Sequence, residues 1–347
     1  MTLSLQHEVL RLPLRDPFRI ARSEHGAGRV ATTVIVELRD DRYPGLVGFG
    51  EGYPDRFYGE TPATMAALFP LLLEAAGEDP EADVDAASAR VAGAIRWNGA
   101  AKCAVDTALW DLAGKVTGRA VVSLLGLPTD IPPTDFTLGL DEPAIVAERA
   151  RRAAGFPALK IKVGGPADLE TLRAVRAVYP GKPIRVDANT GWTPDIALAL
   201  VRELEDLGVE LIEQPYPANR LDWLADLQAA SPLPIVADES CVVDEDLDRL
   251  VGVVAGVNVK LAKCGGPGPA AVMLRRARAL GFRTFLGCME ETSVAIAASA
   301  AVASLADWVD LDGSLLLAED PFEGLQLGQD HRWQLSEAHG LGVRRRA

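Results

Sequence analysis

The chain has 347 residues, is 48% hydrophobic and 24% charged, and carries a formal net charge of −14. Its length exceeds one minimal core and fits a barrel plus a smaller domain, while the acidity argues against nucleic acid, whose phosphates need a basic footprint. The start, MTLSLQHEVLRLPLRDPF, has no apolar signal core, no apolar run reaches the roughly 18 residues of a membrane span, and the four cysteines form no CxxC pair, so a reduced cytoplasmic protein without disulfides, zinc or membrane contact is expected.

Residues 1–60 read as a β-meander, with VATTVIVEL alternating and β-branched and LVGFGEGYP following the DDRYPG turn. Two glycine-bearing loops interrupt it, ARSEHGAGR near residues 21–29 and GEGYPDRFYGE near 50–60. TPATMAALFPLLLEAA and AAKCAVDTALWDLAGKV have helical spacing, the first with a threonine start signal. Gly126, Pro128 and the prolines at 132–133 mark a change of architecture. Strands are then expected at 135–140, 158–163, 184–188, 209–213, 234–238, 257–261, 283–287 and 308–311, with helical stretches such as DLETLRAVRAVY between them. This predicts an α/β chain: an α+β capping domain over residues 1–127, a parallel (β/α)8-type barrel over 128–320, and a segment 321–347, with its strand-like HRWQL, returning to the cap.

The polar positions that close these strands are evenly spaced. Lys162, Asp187, Glu213, Asp238, Lys260, Cys288 and Asp310 follow one another at steps of 25, 26, 25, 22, 28 and 22 residues. In a parallel barrel all such ends face one mouth, so residues far apart in sequence meet there. Asp187, Glu213 and Asp238 come from three consecutive strand ends, in VDAN, IEQP and ADES. One aspartate there is often only a helix cap, but three hard oxygen donors in succession suit Mg²⁺ better than zinc. Lys160 and Lys162 share the strand ALKIK, where alternation sends both side chains to one face. They read as a general base and its neighbour, or as ion pairs to the metal carboxylates. Lys260 closes the sixth strand, across the barrel from the second, so a substrate between them meets a lysine on each face. Lys263 reads as a structural ion pair.

KIK, VDAN, IEQP, ADES and VNVKLAKCGG, in this order and spacing, resemble the enolase superfamily and its muconate-lactonizing subgroup over nearly the whole chain. The resemblance implies the enolase-like modified TIM barrel, a substrate carboxylate on Mg²⁺, and removal of the adjacent proton to give an enolate held by metal and lysine. All four histidines (His7, His25, His331, His339) lie outside the barrel strands, unlike the mandelate racemase branch with its histidine base. Lysines on both faces suit racemisation or epimerisation.

The eighth strand, WVDLDGSLLLAED, places Asp310 and Asp312 on one face, able to hold an ammonium. Helix capping or a loop ion pair is the plainer alternative. Within the subgroup this Asp-x-Asp, with LGCME and PFRIAR, resembles the dipeptide epimerases such as L-Ala-D/L-Glu epimerase, which implies an aminoacyl amino terminus gripped by the pair. The same resemblance makes Thr137 and Cys288 pocket-lining contacts. One of Arg19, Arg22 and Arg29 could pair with a glutamate side chain, and Arg22 is the expected one. Glu290 and Glu291 could instead favour a cationic side chain. The expected reaction is Mg²⁺-dependent inversion at the carboxy-terminal residue of a dipeptide, L-Ala-L/D-Glu, serving recycling of cell-wall peptides. Rivals are another dipeptide specificity, an N-acylamino acid racemase, an o-succinylbenzoate synthase or a muconate cycloisomerase. A binding scaffold would need no paired lysines, and a phosphate-handling barrel would show its glycine-rich loop after the seventh or eighth strand. Expected partners are the dipeptide and, in a homo-oligomer, further copies of the chain.

Overall fold

A computed structural model describes residues 3–22, 28–335 and 337–347. Most of the first glycine-bearing loop, including His25, lies outside the described residues. The chain opens with an antiparallel meander of β1 (Leu3–Pro13), β2 (Val30–Asp40) and β3 (Gly48–Gly52). Three helices cover it: α1 (Pro62–Ala76), α2 (Val84–Gly93) and α3 (Gly99–Thr117). Thr61 caps α1 in a reciprocal box with Thr64. The sequence GFGEG explains how α3 docks. Glycine at every second position leaves one face of β3 bare, and a Cβ on Gly50 would lie 1.9 Å from the Ala104 carbonyl oxygen. The helix answers with Ala100, Ala104 and Ala108 at a spacing of four, all fully buried. Sheet and helix therefore pack backbone to backbone, and residues 99–114 of α3 are buried throughout, between the meander and the remainder of the chain.

The following strands are β4 (Phe136–Leu138), β5 (Leu159–Lys162), β6 (Ile184–Asp187), β7 (Val209–Glu213), β8 (Ile235–Ala237), β9 (Gly256–Lys260), β10 (Arg283–Gly287) and β11 (Trp308–Asp310). They form one eight-stranded sheet, each hydrogen-bonded to its sequence neighbours and all parallel. The ring closes through a single parallel bridge between Thr134, just before β4, and Val309 of β11. Alternation sorts the interior into layers. Leu211, Val236, Phe285 and Trp308 form an apolar floor. Three of them stand two residues before Glu213, Asp238 and Asp310, so the next inward layer is charged.

Beyond the barrel, Phe322–Glu323 pairs with Arg344–Arg345 and Gln326–Leu327 pairs with Trp333–Gln334. The last segment touches the cap: Ala120 bridges Gly340, and the Leu341 amide donates to Asp111 of α3 at 2.7 Å. All four cysteines are free. Among the described residues no helix is long and apolar enough to cross a membrane.

Candidate active site

The three carboxylates sit side by side because their strands do. Asp187 and Glu213 are register partners on β6 and β7, and Asp238 follows β8. All are buried, with one oxygen from each lying within 4.8 Å of the others. Their remaining valences are organised by this chain. Asp187 accepts from the Asn189 amide at 2.9 Å, and Glu213 accepts from Asn258 Nδ2 at 2.7 Å. Burial and the charge of Asp187 push Glu213 up to about 7. Burial would also raise Asp238, but Lys260 and Lys263 outweigh it and hold that carboxyl well below the usual range. Three buried oxygen donors that repel one another match a hard dication, and among the described residues no soft or imidazole ligand joins them. The residues fit Mg²⁺.

Four ammoniums surround this cluster at different depths. Lys160 is fully buried, 2.8 Å from Glu213, 2.9 Å from Asp310 and 3.4 Å from Asp187, and its Nζ lies 5.1 Å above the centre of the Phe285 ring on the apolar floor. Lys162, two residues on, reaches Asp187 at 2.6 Å and lines the open mouth. Lys260 lines the opposite wall, four strands round the ring, with Asp238 at 2.9 Å. Burial alone would lower its pKa; Asp238, Glu213 and Asp187 outweigh that and hold it above the usual lysine range. Lys263 donates to Asp238 Oδ1 at 2.5 Å and to the carbonyls of Asp238, Cys241 and Asn258 at 2.7–2.9 Å. Its ammonium is spent on the backbone turn that carries Asp238.

The mouth is a cavity of about 990 Å³ between the cap loops and the strand ends. Thr137, Cys288, Asp310, Asp312 and Arg22 all line it. The two aspartates are unequal, however. Asp310 accepts from Lys160 and from the Thr137 hydroxyl, each at 2.9 Å, and its ionised form is favoured despite burial. Asp312 accepts the Thr137 amide at 2.6 Å, and burial together with the charge of Asp310 pushes its carboxyl well up. Burial also raises the Cys288 thiol, reinforced by both aspartates, which suits a wall and not a nucleophile. Arg22 contacts Glu239 closely, stands 3.7 Å from Asp55 and lies over the Phe57 ring at 4.4 Å. Arg19 is held away by Asp141 at 2.9 Å, and Arg29 is exposed.

Several residues of this site carried no assignment from the sequence. Asn189 and Glu239 share a hydrogen bond at 3.2 Å beside the carboxylate cluster. The signal was present: Asn189 stands two beyond Asp187, and Glu239 directly follows Asp238. Asn258 stands two before Lys260, on the same face of β9. Glu290 and Glu291, read together in the sequence, part company. Glu290 lines the mouth, whereas Glu291 is buried and pushed up to about 8 by burial and by Glu51 of β3.

Two family models cover the chain: "Mandelate racemase / muconate lactonizing enzyme, N-terminal domain" matches residues 6–126 and "Enolase C-terminal domain-like" matches 144–346. An L-Ala-D/L-Glu epimerase of Bacteroides thetaiotaomicron is 37% identical over 341 residues, covering 96% of this chain and 85% of the relative. An L-Lys-D/L-Arg epimerase of Methylococcus capsulatus is 36% identical, covering 98% of both. The crystal structure of a dipeptide epimerase from Enterococcus faecalis, complexed with Mg and L-Leu-L-Tyr, superposes with a TM-score of 0.90 at 32% identity, covering 99% of both chains.

Proposed function

Since the chain belongs to the mandelate racemase and muconate lactonizing group of the enolase superfamily, we propose that it is a Mg²⁺-dependent dipeptide epimerase that inverts the α-carbon of the carboxy-terminal residue. One observation carries this reading. Lys162 and Lys260 face each other across the mouth above the three-carboxylate cluster, with Asp312 at the adjoining strand end. Asp187, Glu213 and Asp238 would hold the Mg²⁺, which when bound supplies positive charge to the substrate carboxylate and offsets the anions that keep Lys260 protonated.

The rest is the work of this chain's side chains. The dipeptide lies with its carboxylate toward β6–β8 and its ammonium on Asp312 and Asp310. Its second α-carbon then stands between the two lysines. A neutral Lys162 takes the α-proton of one epimer, and the Lys260 ammonium returns a proton to the opposite face; the reverse reaction exchanges the roles. Lys160, already beside Glu213 and Asp187, adds fixed positive charge under the carboxylate as carbanion character develops. Enzymes must supply about 8–23 kcal/mol of transition-state stabilisation in general, so charge placed in a dry site is the main resource. For the inverted residue we favour glutamate, as in L-Ala-L/D-Glu. Arg22 lines the mouth, and its 3.7 Å approach to Asp55 is loose enough for a substrate carboxylate to take that place.

The test is an L-Xaa-L-Xaa dipeptide library incubated with enzyme and Mg²⁺ in D₂O, with deuterium uptake read by mass. Uptake at the second residue, with appearance of the other epimer, is expected. Exchange confined to N-acyl amino acids would replace this reading with that of an acylamino acid racemase.

A further inference from the structure

With the ammonium at Asp312 and Asp310, the first side chain of a dipeptide must emerge beside whatever borders that point. The turn after Asp312 is pressed against the loop that follows β10. A Cβ on Gly313 would lie 2.2 Å from the Met289 carbonyl oxygen and 3.3 Å from Cys288 Sγ. Residues 288–290 therefore form the wall next to the amino terminus, and Glu290 and Leu316 face the same mouth.

Glu290 is approached from the cap by Tyr53, which lines the same cavity. The Tyr53 ring packs against the apolar cluster of Leu12, Ala31 and Leu317, and burial, reinforced by the nearby charge of Glu290, pushes its hydroxyl well above the usual range. Both residues line the cavity and are partly open to it. Among the described residues no lysine, arginine or histidine forms an ion pair with Glu290. The mouth's other cations are committed elsewhere or stand at the exposed rim: Lys162 on Asp187, Lys260 on Asp238, Arg22 on Glu239, with Arg11 and Arg56 at the rim. Glu291 is turned away, its carboxylate accepting the Met289 amide at 2.9 Å. One carboxylate is thus left facing the place of the first side chain. A carboxylate in a partly dry wall without an ionic partner gains most from a cation that supplies one.

We infer that Tyr53 and Glu290 form a subsite for the side chain of the substrate's amino-terminal residue, one that selects lysine or arginine there over alanine or a neutral chain of equal length. This rests on the dipeptide reading and refines its first position. Glu290 is then a specificity residue that touches substrate without touching the reacting carbon.

The experiment compares kcat/KM for L-Lys-L-Glu, L-norleucyl-L-Glu and L-Ala-L-Glu with the Mg²⁺-loaded enzyme and its Glu290→Gln and Glu290→Lys variants. Wild type should favour the lysyl substrate over its norleucyl isostere at least tenfold. Glu290→Gln should shrink that ratio at least fivefold, and Glu290→Lys should turn it below one. Equal use of the lysyl and norleucyl substrates by wild type, or a ratio that survives both substitutions, overturns the inference while the dipeptide reading stands. Absence of α-proton exchange with every free dipeptide removes the dipeptide reading itself, and this subsite with it.

Discussion

On the proposed reading, replacing Asp312 with asparagine removes the negative charge that a bound ammonium would draw out on that carboxyl, and almost nothing else. The side-chain oxygen of asparagine can still accept the Thr137 amide, which Asp312 takes at 2.6 Å. Asp310 cannot make up the loss, because Lys160 and the Thr137 hydroxyl already occupy its two oxygens. A substrate ammonium therefore forfeits one charge-assisted hydrogen bond, worth roughly 1.5–3 kcal/mol. At about 1.4 kcal/mol per factor of ten, kcat/KM on a free dipeptide should fall roughly 10- to 150-fold. The fold should not suffer, since burial and the charge of Asp310 already disfavour the ionised Asp312. A thermal scan should place Asp312→Asn at or above wild type. An N-acetylated dipeptide never makes the bond, so its rate with the variant should change far less. Loss within threefold on the free dipeptide, or an equal loss on the acetylated one, would refute the reasoning.

Three further outcomes are expected. Lys162→Ala and Lys260→Ala should each abolish epimerisation, and each should still exchange the α-proton of only the epimer its remaining lysine faces; full epimerisation by either in a chirality-resolved assay would remove that lysine as a base. Chelation should abolish turnover and added Mg²⁺ restore it, with full activity in a demonstrably metal-free preparation as the contrary result. Asp106 of α3 is fully buried, accepts the Gly268 amide at 3.0 Å, and is raised by burial from 3.8 to about 7. The native state thus keeps a proton that the unfolded chain releases between about pH 4 and 7, so stability should fall as pH rises through that window. Asp106→Asn should flatten this slope and gain a few kcal/mol at pH 8, at about 1.36 kcal/mol per unit, whereas denaturation curves with an unchanged slope would count against it.

The barrel was legible because two independent periodicities agree. Apolar runs recur at one βα length, and within each run alternation sends every second side chain inward. Lys160 and Lys162 on one face, and Asp187, Glu213 and Asp238 at one mouth, follow from that alone. Depth did not. Alternation cannot say that Lys160 is sunk between Glu213 and Asp310 while Lys162 stays at the opening, since that depends on the floor of Leu211, Val236, Phe285 and Trp308 from four strands. Nor could it part Glu290 from Glu291. Both follow β10 where strand geometry ends, and their separation is set by Gly313 and Glu51, which are remote in the chain. Arg22 illustrates the same limit, because its partner Glu239 lies 217 residues away.

Closure of the ring by the Thr134–Val309 bridge has a consequence for how the protein comes to work. The contacts that clasp first strand to last, Thr137 with Asp310 and with Asp312, join residues 173 and 175 positions apart. Nearly all of the barrel must be made before this clasp can fasten, and such distant pairings are slow to form. On the proposed reading, the cradle for the substrate's amino group is therefore assembled among the last parts of the molecule. A chain still open along that edge already carries both proposed base lysines and all three proposed metal ligands, yet lacks the proposed hold on a dipeptide. On that reading selectivity arrives with completion, and an amino terminus seated on the clasp would help to keep it shut.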